Sequence, residues 1–559
     1  MDKNWFSYRS HGQLILLLVI LGYIFLMLGN GRMSLTHPDE VFYIQSAKEM
    51  VKHNSWLTPM IFDKPQFEKP ILSYQLFAIA IKYFGNGPFV ARFWPSFFGI
   101  LGVCVTYWIA WMLFGRKQLA FLAGMILCTS FIYFALSRAV LTDMIFSIWV
   151  TITFGFFYLA YRFKKYEDVG LIFFFIFAAI SVLTKGLLGI ILPVVAITIF
   201  LWSKRDLGFL KKRSVIIGML LFILIVLPWH WLMYQKYGKV FIDEYFNNVH
   251  VRRILEAEHA KSDHWYFYPM MMFVGVMPWS FFWFPVVALI IQSFRKRNPD
   301  LDKIKFLLAW MGTVFVVLQI AHSKLASYIF PLYPTIAILF AHYLDQVIEG
   351  HKTKSIPVSY KICVSAMAVW LLVIAIGGVV YGMMKTQDIV PIGIIVIFSF
   401  LLSGLAIFKL ISIFKGKSLR AIFSYVGIDV VLLSVLLFAQ PHVEPWVSCK
   451  NISEAFKKID QSDSVILTSK FYVRGVRYYT DRSVAVIDIN GKGFFSPHPI
   501  PFLDSDQKVL DFLAQQKVTY AIVKEGNVKD LKRIIEGKPY FLEELTGSGG
   551  KYILRIQKT

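Results

Sequence analysis

Acidic side chains lie next to the apolar runs of this chain at positions where they could take part in chemistry. The stretch "HPDE" places Asp39 and Glu40 side by side, shortly after the apolar run 12–30. A carboxylate at such a boundary can act as a general base or hold a reacting sugar. The structural alternative is a helix cap, because Asp39 precedes the helix-like sequence "EVFYIQSAKEM" and acids are favourable at helix N-termini.

A second stretch, "FDKPQFEKPILSY", brings Glu68 and Lys69 together in one short loop. The proline after Lys69 restricts that lysine to extended conformations, so the loop is stiff. A lysine can pair with a phosphate as a point charge, and a glutamate can hold a divalent metal or a sugar hydroxyl. A solvated loop without a chemical role is the alternative interpretation.

A third acid, Asp143 in "SRAVLTDMIF", begins another apolar run. An acid at the end of a membrane span is costly unless it serves a purpose. Thr142 or Asp143 could instead cap the helix that starts here. The sequence therefore leaves a functional and a structural interpretation open for this acid.

Two further stretches carry cations and aromatic rings. "NNVHVRRILEAEHAKSDHWYFY" contains Arg253, whose forked guanidinium suits phosphate oxygens, and His250 and His259, either of which could meet a metal together with a distant acid. No local spacing there is a zinc signature, and for a single histidine the non-ligand interpretation comes first. "HSKLASYIFPLYP" contains Lys324 and Tyr328, which snorkelling and an aromatic belt also explain.

The elements that must position these residues are membrane helices. The 559-residue chain is 57% hydrophobic and 17% charged, which is unlike a soluble domain. Its apolar runs are long and continuous, and this favours helices over a barrel. The sequence predicts an α-helical polytopic membrane protein with about thirteen transmembrane helices. The predicted spans are 12–30, 88–114, 119–136, 142–161, 170–184, 187–202, 214–234, 267–292, 306–321, 327–345, 360–382, 389–413 and 421–440.

Basic residues between the apolar runs predict the orientation of the helices. With the N-terminus inside, each basic cluster, from Arg116 and Lys117 to Lys415 and Arg420, falls on the cytoplasmic side. This rule also explains the net charge of +23, so no nucleic-acid partner is expected. All the polar stretches described above then fall on the outer side. Residue chemistry and span counting therefore indicate the same face.

The sequence predicts two domains, a transmembrane domain at 1–440 and an α/β domain outside the membrane at 441–559. Within the first, 41–52 and 71–85 are predicted to be interfacial helices rather than spans. In the second, "SVILT", "VAVID", "TYAIV" and "KYILRI" are typical of buried strands, and "DQKVLDFLAQQ" of a helix. The sequence "NISEAFKKI" predicts another helix, capped by Asn451.

Acids, phosphate-binding cations, candidate metal ligands and aromatic rings on one face suit the transfer of a sugar that is carried on a lipid phosphate. The motifs "HPDE", "FEKP", "SRAVLTD", "NVHVRRI" and "SKLASYIFPLYP", which lie within residues 12–345, occur in an order and spacing typical of one family. They resemble the GT-C class of polyprenyl-phosphate-dependent glycosyltransferases, which includes the bacterial aminoarabinose transferases of lipid A and the protein O-mannosyltransferases. The chain departs from the family pattern at Phe42, where an arginine is frequent, and at Gln66, where a tyrosine is frequent.

The resemblance implies a role for each matched residue. Asp39 matches the catalytic acid of the first outer loop, which is the general base. Asp143 matches a second acid, which orients the acceptor or the sugar. Lys69 matches the lysine that binds the lipid phosphate, Arg253 an arginine on the phosphate side, and Tyr328 a tyrosine near the donor phosphate.

Three further residues complete the expected site. Glu68 and His250 match a pair that can hold a zinc ion in this family, and His259 is the alternative histidine. Lys324 is expected to bind the substrate phosphate, together with Tyr328 from the same stretch. No nucleotide cofactor is expected.

The resemblance also implies the function. The expected protein is a multi-pass enzyme of the bacterial inner membrane, with its active site and C-terminal domain in the periplasm. It would move a sugar from polyprenyl phosphate to an envelope acceptor, either a lipid A-like glycolipid or a protein, with inversion at the anomeric carbon. An O-antigen ligase, an oligosaccharyltransferase or a protein O-glycosyltransferase on the same scaffold is the alternative. A transporter is disfavoured because internal repeats and ionisable residues near mid-membrane are scarce.

Overall fold

The computed structural model describes residues 6, 8–256, 262–351, 356–385, 392–416, 418–460, 462–495 and 498–559. The α-helices are α1 (His11–Gly22), α2 (Asp39–Lys52), α3 (Ile71–Phe84), α4 (Pro88–Phe114), α5 (Lys117–Cys128), α6 (Phe131–Ser137), α7 (Thr142–Arg162), α8 (Glu167–Lys185), α9 (Leu188–Ser203), α10 (Arg213–Phe241), α11 (Arg253–Leu255), α12 (Phe267–Val274), α13 (Trp283–Arg295), α14 (Leu301–Ile320), α15 (Tyr333–His351), α16 (Val358–Lys385), α17 (Ile392–Phe414), α18 (Ser418–Val447), α19 (Lys450–Ile459), α20 (Val473–Thr480), α21 (Asp506–Ala514) and α22 (Glu525–Ile535). The β-strands are β1 (Met60–Ile61), β2 (Lys64–Pro65), β3 (Ile466–Ser469), β4 (Val484–Ile487), β5 (Phe502–Leu503), β6 (Val518–Lys524), β7 (Tyr540–Ser548) and β8 (Lys551–Lys558).

Eight helices in the described part of the chain are long and apolar enough to cross a membrane. The number rises to nine if α5 and α6, which are bent by 64° relative to each other, form one span. All nine coincide with predicted spans. The prediction of a polytopic helical membrane protein is therefore confirmed, with a smaller number of long spans than the thirteen expected.

The other four predicted spans contain shorter or more polar helices. The segments 12–30, 187–202 and 267–292 contain apolar helices of 10–17 residues. The segment 327–345 contains most of α15, whose sequence includes Asp345. The prediction treated apolar residues in the connecting turns as parts of the spans, and this lengthened several runs beyond their helices.

Aromatic packing fixes the position of α7, the helix that carries Asp143. The ring of Phe154 in α7 stacks on that of Trp310 in α14, with 4.2 Å between the ring centroids. Farther along the same helix, Phe157 packs against Phe200 and Phe306. Such rings bury large apolar areas, so α7 is held on several sides by its neighbours.

The chain forms two compact units. The first contains 1–29 and 92–438, and the second contains 30–91 and 439–559. The segment that carries Asp39 and Lys69 is thus in the same unit as the C-terminal sheet. The predicted boundary at residue 440 between a transmembrane and a periplasmic domain stays a prediction.

The second unit contains a six-stranded mixed sheet in the order β5-β4-β3-β6-β8-β7. The first four of these strands pair in parallel, and β8 pairs antiparallel to both β6 and β7. β3 and β4 are buried along their whole length, as continuous apolar runs in a parallel sheet should be. All four strands predicted from the sequence, and the helix at α21, are confirmed. The sequence reading did not identify β5 or β7.

One helix of this unit begins differently from the prediction. Asn451 was expected to cap the helix, but α19 already begins at Lys450, with Cys449 in the cap position. The backbone N–H of Lys450 donates to the hydroxyl of Ser448 at 3.2 Å. A hydroxyl two residues upstream thus satisfies one of the free N–H groups at this helix start.

Candidate functional site

Asp39 is the first residue of α2, and Pro38 occupies the cap position before it. The carboxylate therefore lies in the first helical turn, where the helix dipole favours a negative charge. Its side chain is 65% exposed, and its Oδ1 lies 3.9 Å from Nη1 of Arg474. An exposed carboxylate beside a cation can accept a proton from a substrate.

The neighbouring acid, Glu40, is buried and has a local structural role. Its Oε2 accepts hydrogen bonds from both the backbone N–H and the hydroxyl of Thr36, each at 2.9 Å. These bonds tie the loop before α2 to the helix. The two adjacent carboxylates therefore differ, and only Asp39 is open to solvent.

Arg474 is a residue that the sequence reading missed. It lies in α20, and its guanidinium stacks on the ring of Phe42 with 4.5 Å to the ring centroid. Its Nε and Nη2 donate to Nε2 of His498 at 3.2 and 3.0 Å. No local signal in the sequence links this arginine to Asp39, because their contact depends on how α2 and α20 pack.

The loop before α3 is held by ionic contacts through Asp63. Its carboxylate accepts hydrogen bonds from Lys52, His53 and Arg477, at 3.1 and 2.8 Å for the first two. Partial burial alone would raise the pKa of Asp63, but the hydrogen bonds and the charge of Arg477 lower it to about 2. Asp63 thus stays ionised and anchors the loop.

Glu68 and Lys69 follow Asp63 in this anchored loop. Lys69 is buried, with 6% of the residue exposed, whereas Lys64 at the loop's start is exposed. The backbone N–H of Glu68 donates to the side-chain oxygen of Gln66 at 3.3 Å. The loop thus holds Lys69 inside the unit and leaves Lys64 in solvent.

The zinc expected from the resemblance finds no support in the described residues. Among them, no group of three or more His, Cys, Asp or Glu side chains could hold a metal ion. The side chain of His250 and the whole of His259 lie outside the described residues. Glu68 therefore belongs to no such group among the described residues, and no chemical step is assigned to a metal.

Asp143 belongs to a buried ion pair in the first unit. Thr142 begins α7 and Asp143 follows in its first turn, while Leu141 occupies the cap position without a side-chain cap. Oδ1 of Asp143 accepts a hydrogen bond from Nζ of Lys185 at 2.5 Å, and the two side chains are 6% and 11% exposed. Neither residue considered as a cap fills that role.

Lys185 connects Asp143 with Tyr328. Its Nζ lies 4.4 Å from the centroid of the Tyr328 ring, as in a cation–π contact. Lys185 is the last residue of α8, next to Gly186, whose φ of +112° ends the helix. The span count already placed this short loop on the outer side with Asp143, so that signal could have identified Lys185.

Lys324 is paired with an acid that the sequence reading overlooked. Its Nζ donates to Oδ1 of Asp263 at 2.6 Å, and Nδ1 of His322 lies 2.8 Å from the other oxygen. The hydrogen bonds from Lys324 and His322 lower the pKa of Asp263. Asp263 thus holds the ammonium of Lys324 in place.

Arg253 lies beside this cluster through its backbone. The N–H groups of Ser323 and His322 donate to the carbonyls of Arg253 and Ile254, at 3.1 and 3.2 Å. The two loops that were predicted to bind phosphate are thus joined in the first unit. Asp39, Glu68 and Lys69 belong to the second unit, and Asp143, Arg253, Lys324 and Tyr328 to the first.

Comparisons with known proteins agree with the motif-based resemblance. The model of the family described as dolichyl-phosphate-mannose-protein mannosyltransferase matches residues 13–245. The undecaprenyl phosphate-alpha-4-amino-4-deoxy-L-arabinose arabinosyl transferase of Yersinia pestis (strain Pestoides F) is 28% identical over 392 residues, which cover 69% of this chain and 67% of that protein.

Solved structures share the fold. The crystal structure of ArnT from Cupriavidus metallidurans bound to undecaprenyl phosphate covers 98% of both chains, with a TM-score of 0.78 and 17% identity. The archaeal oligosaccharyltransferase AglB from Archaeoglobus fulgidus, in complex with an inhibitory peptide and a dolichol-phosphate, has a TM-score of 0.53 and 13% identity. That match covers 93% of this chain and 70% of AglB.

The chain thus resembles GT-C membrane glycosyltransferases in sequence and shares the fold of one of them, so the resemblance drawn from the motifs is confirmed. Within that class, it is a multi-pass membrane protein with an ArnT-like fold and resembles the aminoarabinose transferases in sequence.

Proposed function

We propose that this chain transfers a sugar from a polyprenyl-phosphate donor to a lipid A-like acceptor on the outer face of the bacterial inner membrane. The observation that carries the proposal is the buried pair of Asp143 and Lys185 beside Tyr328. A charged pair at the end of an apolar helix is costly and suits a site that meets a charged lipid head group. The name of the Yersinia pestis relative includes undecaprenyl phosphate, and this supports the choice of donor.

The ion pairs of the first unit support the orientation. In each of three pairs, the basic residue belongs to a cluster that was predicted to lie on the cytoplasmic side. They are Arg116 with Asp345, Lys204 with Asp302, and Lys212 with Glu167. The pairs Asp143–Lys185 and Lys324–Asp263 join residues predicted to lie on the outer side. None of these pairs crosses the predicted membrane, as expected if the periplasmic placement of the site is right.

We derive the transfer step from the negative charge that the donor phosphate carries as it leaves. The acceptor oxygen forms a bond to the anomeric carbon on the face opposite the phosphate, and the bond between that carbon and the phosphate oxygen breaks. The electron pair leaves with the polyprenyl phosphate, so the configuration inverts. The departing phosphate needs positive charge, which we assign to Lys69, Arg253 and Lys324, and we assign a contact with the donor phosphate to Tyr328. The buried Lys69 suits this role because a poorly solvated ammonium interacts strongly with an anion.

The two acids have different roles in this step. Asp39, the exposed acid, takes the proton when the acceptor is a hydroxyl. When the acceptor is a phosphate, it is already anionic and Asp39 orients it. Asp143 is held on Lys185 and orients the sugar or the acceptor.

A protein acceptor is the second candidate. The match of residues 13–245 to the protein mannosyltransferase family favours it. An oligosaccharide or O-antigen ligase would use the same face and the same charges with a larger donor. The acceptor, rather than the site's chemistry, separates these candidates.

Transfer from a labelled donor tests the proposal. Purified protein in lipid vesicles is incubated with a radiolabelled polyprenyl-phosphate sugar and with either lipid A or membrane proteins. Label on lipid A supports the proposal, and label on protein supports the second candidate. Absence of transfer to both, with donor bound, would overturn the glycosyl-transfer assignment.

A further inference from the structure

Two arginines of α20 face the segment that contains Asp39, and they make very different contacts. Arg477 is buried, and its Nη2 contacts the carboxylates of Asp63 and Glu49 while Nη1 donates to the carbonyl of Asp481. Arg474, one turn earlier, reaches Asp39 only at 3.9 Å. Arg477 thus joins α20 to α2 and the loop after it, and this places Arg474 without help from Asp39.

Aromatic rings and His498, rather than Asp39, hold the guanidinium of Arg474 in place. It stacks on Phe42 at 4.5 Å and lies 6.0 Å from the centroid of Phe494. Its Nε and Nη2 donate to His498, whose ring stacks on Phe494 with centroids 4.3 Å apart. Because Nε2 of His498 accepts these bonds, its ring proton is on Nδ1.

These contacts leave one edge of the guanidinium, Nη1, for Asp39. The side chain of Arg474 is 16% exposed, against 65% for Asp39. A pair at 3.9 Å with an exposed partner adds little stability. An arginine fixed by aromatic rings is nevertheless pre-organised, since the rotamer entropy of its long side chain is already lost in the folded state.

We propose that Arg474 is a positioning residue of the transfer site, which holds the Asp39 carboxylate in the orientation needed for catalysis. This inference rests on the proposed function, because it concerns the acid assigned there as the base. Through α20 and the segment that contains His498, the C-terminal region thereby helps to fix the orientation of the Asp39 carboxylate. A purely structural role for Arg474 is the competing explanation, and the two make different kinetic predictions.

The test compares kcat and the donor KM of Arg474→Gln and Arg474→Lys with those of the unmodified protein. For Arg474→Gln we expect kcat to fall by about tenfold to a hundredfold while the donor KM changes by less than about twofold. Arg474→Lys should recover part of kcat, because a point charge remains without the planar fork. Arg533→Gln is the matched control, since Arg533 also pairs with an aspartate of this unit, Asp506, but at the surface.

A second pair of variants separates positioning from packing. His498→Gln and His498→Leu both remove the stacked ring, but only the glutamine offers an oxygen to Arg474. We expect His498→Gln to keep a kcat at least about threefold above that of His498→Leu, at similar thermal unfolding midpoints in detergent. Equal kcat values for these two variants would count against the inference.

Three results would overturn the inference. They are an Arg474→Gln protein as active as Arg533→Gln, a loss of kcat fully matched by a loss of folded protein, and a change in donor KM alone. If the unmodified protein transfers no sugar, the proposed function fails instead. If it transfers sugar and Arg474→Gln is indistinguishable from it, only the inference fails.

Discussion

Two acids proposed for the same reaction have opposite surroundings. Asp143 is buried and bonded to Lys185 at 2.5 Å, whereas Asp39 is mostly exposed, with Arg474 at 3.9 Å. The Asp143 carboxylate is therefore held in place by Lys185. The Asp39 carboxylate is instead open to solvent, where a substrate can reach it. In the proposed reaction we therefore assign proton transfer to Asp39 and orientation of the sugar or the acceptor to Asp143.

The strongest test of this contrast is Asp39→Asn. We expect the rate of transfer to fall by at least about a thousandfold, because the amide cannot accept the proton. The exposed side chain contributes little to folding, so the thermal unfolding midpoint should not change. Radiolabel transfer, donor binding and unfolding in detergent are measured together. An active, donor-dependent Asp39→Asn protein would falsify the role of the base.

Substitutions at the buried pair of Asp143 and Lys185 should lower the stability of the folded protein as well as the rate of transfer. Lys185→Met leaves the Asp143 carboxylate buried without this cation, and Asp143→Asn removes the negative charge beside Lys185. Losing one partner of a buried pair typically costs about 3–5 kcal/mol. We therefore expect a lower unfolding midpoint and reduced transfer for both single variants, measured by thermal unfolding in detergent and by radiolabel transfer. The double variant Asp143→Asn/Lys185→Gln should recover part of the midpoint but not the transfer.

Two variants of Tyr328 distinguish its two proposed roles, which are the support of Lys185 by the ring and contact with the donor by the hydroxyl. Tyr328→Phe keeps the ring under the ammonium of Lys185 but removes the hydroxyl. If the hydroxyl contacts the donor phosphate, we expect the donor KM to rise by about tenfold at an unchanged unfolding midpoint. Tyr328→Leu removes the ring too and should also lower the midpoint. Equal kinetics for Tyr328→Phe and the unmodified protein would restrict the residue to holding Lys185.

The smallest expected effect concerns Asp63, which anchors the loop that contains Lys69. Its pKa is lowered from 3.8 to about 2 in the folded protein. The stabilisation it provides is therefore complete above pH 4 and is lost as the pH falls through about 2. Asp63→Asn should lower the free energy of unfolding at pH 6 by about 1 kcal/mol, a value reduced for the solvent exposure of the carboxylate.

Unfolding of both proteins between pH 6 and pH 2 provides the measurement for Asp63. The difference in stability between them should shrink as the carboxylate of the unmodified protein becomes protonated. A difference that stays constant over this range would show that the carboxylate charge does not stabilise the loop.

Local patterns were sufficient to predict several parts of the molecule. Four buried strands and helix α21 follow from short apolar runs and were confirmed, because burial of both faces of a parallel strand leaves a continuous apolar sequence. The helix starts at Asp39 and Asp143 were also visible, as acids at the beginning of periodic runs. Span ends were less accurate, since apolar turn residues resemble helical ones.

The partners of the candidate residues were not predictable in this way. Lys185 lies in the break between two predicted spans, which the span count placed on the same side as Asp143, so this signal could have identified it. Asp263 lies in a stretch in which only histidines and an arginine were predicted to be site residues. For Arg474 there was no signal, because an arginine in a short amphipathic helix is most often a solvated residue.

The sequence alone determined that this chain is a membrane protein with acids and cations at the ends of its apolar runs. Long apolar runs and the basic residues between them interact with the bilayer one segment at a time, so they act through local composition. Only the tertiary structure decided which cation meets which acid. Lys185 reaches Asp143 because α8 packs on α7, and Arg474 reaches Asp39 because α20 packs on α2. Contacts between distant segments depend on packing and geometry, and a linear pattern does not encode either of them.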